Sequence, residues 1–464
     1  MYIHDDIGVG YLAVFVLPII FYYLFKFRGK AFVIYAILSL AFTVGSIELL
    51  TGFDTNDSLM ICELLIWALT IYVLLITPQR EIPYLRYLAG FVLICLISYI
   101  INPVSLIQLA LFLRKYLLFV MVFVLFHNIK LPDKDRENLL KFIILLFVSQ
   151  IIVNIARFPI VGQTEGYIGT MSVQGGSITA IFSLVGIAFS FSAYLYKRKH
   201  NYIILVFGFL LFSLIGLKRG HLLFLPLLLL IQYLIYLRFA QENFFRNAFI
   251  STPFVLFVTG LLIFFGFILV PTLNPENIIG GSFDPVYAIE YIDRYLNPDK
   301  VMKGIEYYGR GEAPGAVYRL LQKNGLRTML FGLGPGDIIM SRFTISWSPG
   351  FSEDMISGIK YGIGYGGRTG VLFTAMQIGF LGTMVYFLFV FKVFSQFFQK
   401  TFYANDIQAD KKIIALGLAG FLGIFIFDFF VYSQVAFQNI PIILTICLAY
   451  NYVKDSLNHS SQIQ

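Results

Sequence analysis

Charge is what this chain lacks most. Asp, Glu, Lys and Arg together make up 13% of its 464 residues, against about a quarter in an ordinary soluble domain. Apolar residues supply 58% and the mean hydropathy is +0.79. A soluble globular protein is excluded, and an integral membrane protein is what such a composition builds. The apolar runs are continuous rather than alternating, which favours helical spans over a barrel. The net charge of +8 reads as basic bias in cytoplasmic loops rather than as a nucleic-acid surface. Cysteine is scarce too: Cys62, Cys95 and Cys447 all fall inside apolar runs, so no disulfide framework is implied. The beginning, Met1-Tyr-Ile-His-Asp-Asp6, has no basic n-region, so the first apolar run reads as a retained span. Histidines stand scattered at 4, 127, 200, 221 and 459, and no His/Cys spacing suits a metal. Walker loop and G-x-S-x-G elbow are both missing. Asp133-Lys-Asp135 looks like a nucleotide-sugar metal motif, but it lies in a very short loop and reads as a solvated turn.

What is abundant is apolar sequence in runs of about 20 residues, the length that crosses a roughly 30 Å hydrocarbon core. Spans are expected near 8–25, 31–51, 59–77, 87–101, 104–126, 139–156, 176–196, 201–217, 221–237, 248–270, 369–393, 413–432 and 441–453. The expected fold is therefore an all-α polytopic membrane protein of about 13 spans (range about 12–14). Basic residues concentrate in alternate loops, at 26–30, 80–86, 130–141, 197–199, 238–246 and 392–412. The opposite set, 52–58, 102–103, 157–175, 218–219 and 434–440, is nearly free of them. By the positive-inside rule the N-terminus is outside and the C-terminus cytoplasmic. The chain then divides into an N-terminal bundle of about ten spans over 1–270, one long external segment over 271–367, and C-terminal spans with a short tail over 368–464.

The long segment holds nine basic and ten acidic residues, so any anion site there must come from placement and not from bulk charge. Tyrosines are dense in it. Tyr287, Tyr291 and Tyr295 are four apart, on one face of a helix predicted over 285–296. A second amphipathic helix is predicted over 315–325, carrying Tyr318 and Arg319 and ended by Gly325. Such helices suit the membrane interface, where Tyr is enriched; equally, tyrosine faces stack on the apolar faces of sugar rings.

Several basic residues stand where they are costly. Arg114 and Lys115 sit inside an apolar run, and an intramembrane cation costs about 2.5–3.5 kcal/mol on insertion scales. The alternatives for Arg114 are a functional cavity or an ion pair with Glu63, Glu48 or Asp428. Lys218 and Arg219 occupy a turn expected outside, and Arg368 opens the span after the long segment. Guanidiniums gathered at one interface, with Arg310 and Arg319 nearby, would make a site for a lipid-borne diphosphate.

Three stretches resemble the O-antigen polymerase and ligase superfamily (Wzy- and WaaL-type proteins). Leu214-Ile-Gly-Leu-Lys-Arg-Gly-His-Leu-Leu223 resembles that family's Arg-Gly turn between two spans. Phe331-Gly-Leu-Gly-Pro-Gly336 resembles its glycine-rich string in the large external loop. Arg368-Thr-Gly-Val-Leu-Phe-Thr-Ala-Met-Gln-Ile-Gly379 resembles the junction from loop to span, with an Arg-to-Gly spacing like that of polymerase loops. An earlier spacing, Arg157 to Gly169, is one residue too long for the same pattern. In the ligase branch the junction begins with His; here it is Arg368-Thr369, which favours the polymerase branch.

The resemblance implies a membrane glycosyltransferase of GT-C-type architecture in a bacterial cytoplasmic membrane, working without metal or other cofactor. Its substrate would be an oligosaccharide on polyprenyl (undecaprenyl) diphosphate, with a flippase and a chain-length regulator as partners alongside membrane lipids, and no nucleic acid. It places Arg219 and Arg368 in the catalytic site, with Arg114, Lys115, Lys218, Arg310, Arg319, Tyr291, Tyr318 and Gly379 around the substrate. Glu353, Asp354, Glu312 and Asp337 are candidate general bases, each with a loop salt bridge as its plain alternative. A single displacement would invert the anomeric carbon. A ligase acting on a lipid or protein acceptor, or a flippase for lipid-linked sugars, are the competing readings.

Overall fold

The computed structural model describes residues 29–51, 55–77, 82–162, 169–171, 177–217, 220–240, 270–296, 301–302, 305–306, 308–339, 353–364, 367, 369–403, 408–433 and 437–460, with single positions at 19, 22, 26, 253, 257, 260, 261, 264, 266 and 268. Fifteen α-helices stand among them: α1 (Lys30–Thr51), α2 (Thr55–Ile76), α3 (Leu85–Ile101), α4 (Leu106–Asn128), α5 (Asp133–Val161), α6 (Ile178–Lys197), α7 (His200–Ile215), α8 (Gly220–Ala240), α9 (Pro285–Leu296), α10 (Ala313–Lys323), α11 (Leu326–Phe331), α12 (Glu353–Tyr361), α13 (Gly370–Tyr403), α14 (Ala409–Phe430) and α15 (Ile440–Ser460). A two-stranded antiparallel ladder, β1 (Val301–Met302) with β2 (Ile305–Glu306), pairs Val301 with Glu306.

Among the described residues, seven helices are long and apolar enough to cross a membrane: α1, α2, α4, α5, α6, α13 and α14. Shorter apolar helices occupy 85–101, 200–215, 224–238 and 440–454. The chain is thus a helical membrane protein. The expected spans at 8–25 and 248–270 lie for the most part outside the described residues.

Local sequence explains where the helices start and stop. Ser105 opens α4 with a capping box: its Oγ accepts from Gln108 N at 3.2 Å and Gln108 Oε1 accepts from Ser105 N at 2.9 Å. Asp133 and Asp135, read from sequence as a solvated turn, occupy the first turn of α5, where Asp133 pairs with Arg136 at 2.6 Å. Carboxylates there complement the helix N-terminus.

The core is aromatic and has α6 and α14 at its centre. The rings of Phe42, Phe147, Phe182 and Phe209 interlock on one side, and those of Phe119, Phe394, Phe421, Phe425 and Phe437 on the other. Close approach of helices uses glycine. A Cβ on Gly186 would meet the Phe209 ring at 2.5 Å, and one on Gly417 the Phe189 ring at 2.5 Å.

Two connecting segments insert among the helices instead of lying over them. In the predicted loop 157–175, Thr170 enters a rung of α1: its Oγ1 donates to Phe42 O at 2.5 Å while Ser46 N donates to Thr170 O at 3.1 Å. Gln150 of α5 holds it there, its Oε1 accepting from Thr170 N at 2.7 Å. The second insertion builds the site described next.

Candidate functional site: a glycine string docked in a broken helix

The string Gly332-Leu-Gly-Pro-Gly336 leaves α11 and wedges between the C-terminal end of α3, the N-terminal end of α4 and the N-terminal part of α13. Three of its glycines have left-handed backbone, at φ +77 (Gly332), +127 (Gly334) and +91 (Gly336), which L residues enter at a cost of roughly 1–2 kcal/mol. Space is equally closed. A Cβ on Gly334 would meet Val104 Cγ1 at 2.6 Å, and one on Gly336 would meet Gln108 O at 2.2 Å.

What receives the string is a break in α13 at Gly379 (φ 70, ψ 178). Non-helical torsions there release the carbonyls of the preceding turn from their usual partners. Leu333 N donates to Met376 O at 2.7 Å and Gly334 N to Gln377 O at 3.1 Å. Gln377 Oε1 also accepts from Gly336 N at 3.0 Å. From α3, Asn102 Nδ2 donates to Gly332 O at 2.7 Å and Ser98 Oγ donates to Gln377 O at 3.3 Å. Irregular backbone inside a helical bundle is tolerated where protein satisfies it, and here a side-chain clamp of Ser98, Asn102 and Gln377 does so.

Beside the string, Asp337 is locked by two partners from α12. Lys360 Nζ lies 2.9 Å from its Oδ1, and the Tyr361 hydroxyl donates to its Oδ2. Burial, then the hydrogen bond to this carboxylate, pushes the Tyr361 phenol above its ordinary value of 10.0. Asp337, a candidate base, is therefore engaged in a loop ion pair.

A second group gathers at the C-terminal end of α14. Arg310 Nη1 donates to Val431 O at 3.4 Å, and its guanidinium lies 5.4 Å from the centre of the Tyr432 ring. A cation at a helix C-terminus is favoured by the exposed carbonyls. Tyr432 stacks on Phe427 at 5.6 Å, and Phe427 on Phe224 at 4.5 Å. Phe224 lies in the first turns of α8. There the buried His221 approaches Ser213 near the end of α7 at 2.9 Å (Nδ1 to Oγ). Arg310 and the start of α8 thus share one aromatic stack. Tyr308 N, two residues earlier, donates to Ile363 O at 3.2 Å, which draws the 308–313 stretch toward the junction that opens α13.

The intramembrane cations point different ways. Arg114 pairs with Glu63 of α2, at 2.5 Å (Nε to Oε2) and 3.2 Å (Nη2 to Oε1). Of the three partners read from sequence, Glu63 is the one it has. Lys115, the next residue on α4, turns toward α13, its Nζ 4.8 Å from the centre of the Phe373 ring. The next residue on each helix makes a second contact, Tyr116 Oη and Thr374 Oγ1 approaching at 2.9 Å.

The structure thus docks the glycine string on the break at Gly379, sets Lys115 against Phe373 in the first turn of α13, and sets Arg310 at the C-terminal end of α14. Arg114 is tied to Glu63. Tyr318 and Arg319 sit on the exposed face of α10, whose other face buries Ala313, Ala316, Val317 and Leu321. Glu312 is exposed at the start of that helix. Glu353 and Asp354 begin α12 and Tyr291 lies on α9, but their side chains are outside the described residues. Lys218, Arg219 and Arg368 also lie outside them; Thr369 and Gly367, the chain neighbours of Arg368, are buried. Among the described residues no group of three or more His, Cys, Asp and Glu is placed to hold a metal ion. Ser98, Asn102 and Gln377 were missed by sequence reading. Their signal was faint: single amide or hydroxyl residues within or beside apolar runs.

Fold and site together define a polytopic helical membrane protein with a glycine string anchored in a broken helix. Comparison with protein-family models, with curated proteins and with solved structures finds no match to this chain.

Proposed function

We propose that this protein is a membrane glycosyltransferase of the polysaccharide-polymerase kind, with about 13 spans and a GT-C-like architecture. In this reading the segment 271–367 and the turn at 216–220 face the outside of a bacterial cytoplasmic membrane, with the N-terminus outside and the C-terminus inside. The observation that carries the reading is the meeting of three stretches remote in sequence. The string Phe331–Gly336 docks on the opening of α13, and Arg310, about twenty residues before it, reaches the start of α8 through Tyr432, Phe427 and Phe224. Leu214–Leu223, Phe331–Gly336 and Arg368–Gly379 are the stretches that resemble the polymerase and ligase superfamily.

The proposed reaction is a displacement at the anomeric carbon of a glycan held on polyprenyl diphosphate. A hydroxyl of the incoming lipid-linked repeat unit forms the new C–O bond. The bond to the diphosphate breaks and its electron pair leaves on the phosphate oxygen. Charge developing there calls for fixed cations. Arg219 and Arg368 are assigned this role, with Arg310, Lys115 and Lys218 around them. The hydroxyl proton passes to a carboxylate; with Asp337 held by Lys360 and Tyr361, Glu353 and Asp354 are the stronger candidates. The tyrosines of α9 and α10 would carry the sugar, and a flippase and chain-length regulator would work beside it. No nucleotide or metal is assigned.

The test is reconstitution. Purified protein in liposomes is supplied with lipid-linked repeat units extracted from a strain lacking this gene, and products are sized by gel and mass spectrometry. Oligomers of two or more repeats on the carrier support the polymerase, and Arg310→Ala should reduce their yield at least about tenfold, the scale of one lost charge-assisted contact. Transfer of single units to another acceptor would favour a ligase, and protection of the lipid-linked unit by transbilayer movement alone would favour a flippase.

A further inference from the structure

The chain that leaves the 253–268 stretch does not project away from the bundle. Asn274, fully buried, folds it back. Its Nδ2 donates to Ile278 O at 2.8 Å and its Oδ1 accepts from Ile278 N at 3.2 Å. Gly280 N then donates to Ile268 O at 3.0 Å, closing the turn onto the end of the apolar stretch. Gly281 must be glycine-sized there, since a Cβ would meet Asn274 Cγ at 2.4 Å. The fold-back is anchored, because Val270 and Leu273 are buried in the core and a Cβ on Gly266 would touch Leu222. Asp284 next caps α9, its Oδ1 accepting from Val286 N at 2.8 Å and Tyr287 N at 3.3 Å.

This rigid turn presents a large apolar surface. Ile278, Ile279, Phe283, Val286 and Ile289 are all exposed, Val286 by 65% and Ile289 by 68%. Single exposed apolar residues are ordinary, but five within the twelve positions 278–289 mark an interaction surface. What covers it follows from what it continues. At 253–268 the exposed side chains Phe257, Leu261 and Phe264 are spaced four and three apart, one helical face of large apolar groups as lipid contact requires. Phe264 packs edge-on against Phe283 at 5.2 Å between centroids. Through this contact the apolar face of Phe257, Leu261 and Phe264 adjoins residues 278–289.

We infer that residues 278–289 are an interfacial anchor, lying in the boundary between headgroups and acyl chains of the same leaflet in which the 253–268 span ends. The partner is the lipid bilayer itself. Its recognition is apolar: the charges at and around 278–289 are Glu276, Asp284, Glu290 and Asp293, all acidic, with Arg294 the single basic residue of α9, so attraction to anionic lipid contributes little. This sets it apart from the basic amphipathic helices that bind membranes through charge. The anchor would keep the polar segment pressed to the bilayer surface and would hold whether or not the protein transfers sugars.

The experiment places a bimane label at Ile289→Cys and, separately, at Ile278→Cys in the full chain in nanodiscs; the native cysteines are buried. Quenching by lipid bearing a shallow doxyl group is compared with quenching by aqueous iodide. Leu261→Cys serves as lipid reference and the exposed Lys134→Cys as aqueous reference. The anchor predicts lipid quenching at both sites at least about fivefold stronger than iodide quenching, unchanged between neutral and anionic nanodiscs. Labels that behave like the Lys134 reference overturn it. Labels shielded from both quenchers also overturn it, because a second copy of the chain or another protein would then be the cover.

Discussion

Gly379 carries more of the architecture than any other single residue. It has φ 70 in a helix, and a Cβ there would stand 2.2 Å from the carbonyl of Leu330. Gly280 has a similar φ of +85 but open space around it. Gly379→Ala should therefore cost about 3 kcal/mol or more, strain plus a backbone clash, and Gly280→Ala about 1 kcal/mol. Melting of the detergent-purified protein separates the two; equal losses would mean that α13 is not broken by the docked string. The Arg114–Glu63 pair makes a second residue-scale prediction. Between two apolar helices, either Glu63→Gln or Arg114→Gln alone leaves a charge without its counter-ion, at about 2–3 kcal/mol. The double variant should be more stable than either single one, and additive losses in a thermal double-mutant cycle would remove the pair from the account.

At the scale of elements, the polar segment is held by its contacts with helix ends. Asp337, Lys360 and Tyr361 join the glycine string to α12. Because burial and Asp337 raise the folded-state phenol of Tyr361 above its usual 10.0, its contribution is fully present below pH 10 and is lost as pH climbs toward the folded value. Amide exchange over 337–361 should rise above pH 10, and Tyr361→Phe should flatten that rise. An unchanged profile in the variant would show that the phenol is not the titrating group. Much at this scale was legible in sequence. The helix over 285–296 is found with those bounds as α9, and the one expected over 315–325 spans Ala313–Lys323 ahead of Gly325 at φ +92. Periodicity and capping act locally, so a sequence displays them. The break in α13 did not show itself, because glycine in a membrane helix more often marks close packing than a break. Its cause is a loop some 45 residues away, Leu330 to Gly336. The insertion of Thr170 into α1 was hidden for the same reason. Arg114 had three plausible carboxylates along the chain, and only tertiary packing selects Glu63.

For the whole molecule, apolar composition and its continuous runs pointed to a helical membrane protein, and the seven long apolar helices among the described residues bear that out. The functional proposal rests on the string and Lys115 at the opening of α13, and on Arg310, which the Tyr432, Phe427 and Phe224 rings connect to the opening of α8. Arg219 and Arg368 belong to the proposal through their place in the chain beside Gly220 and Thr369. The measurement that bears most directly on the proposal is the surface-glycan profile of a strain lacking this gene, complemented with the native chain or with Arg368→Ala. Loss of the ladder to single repeat units, restored by the native chain and not by Arg368→Ala, is the predicted result. An undiminished ladder in the deletion strain would contradict the polymerase account outright.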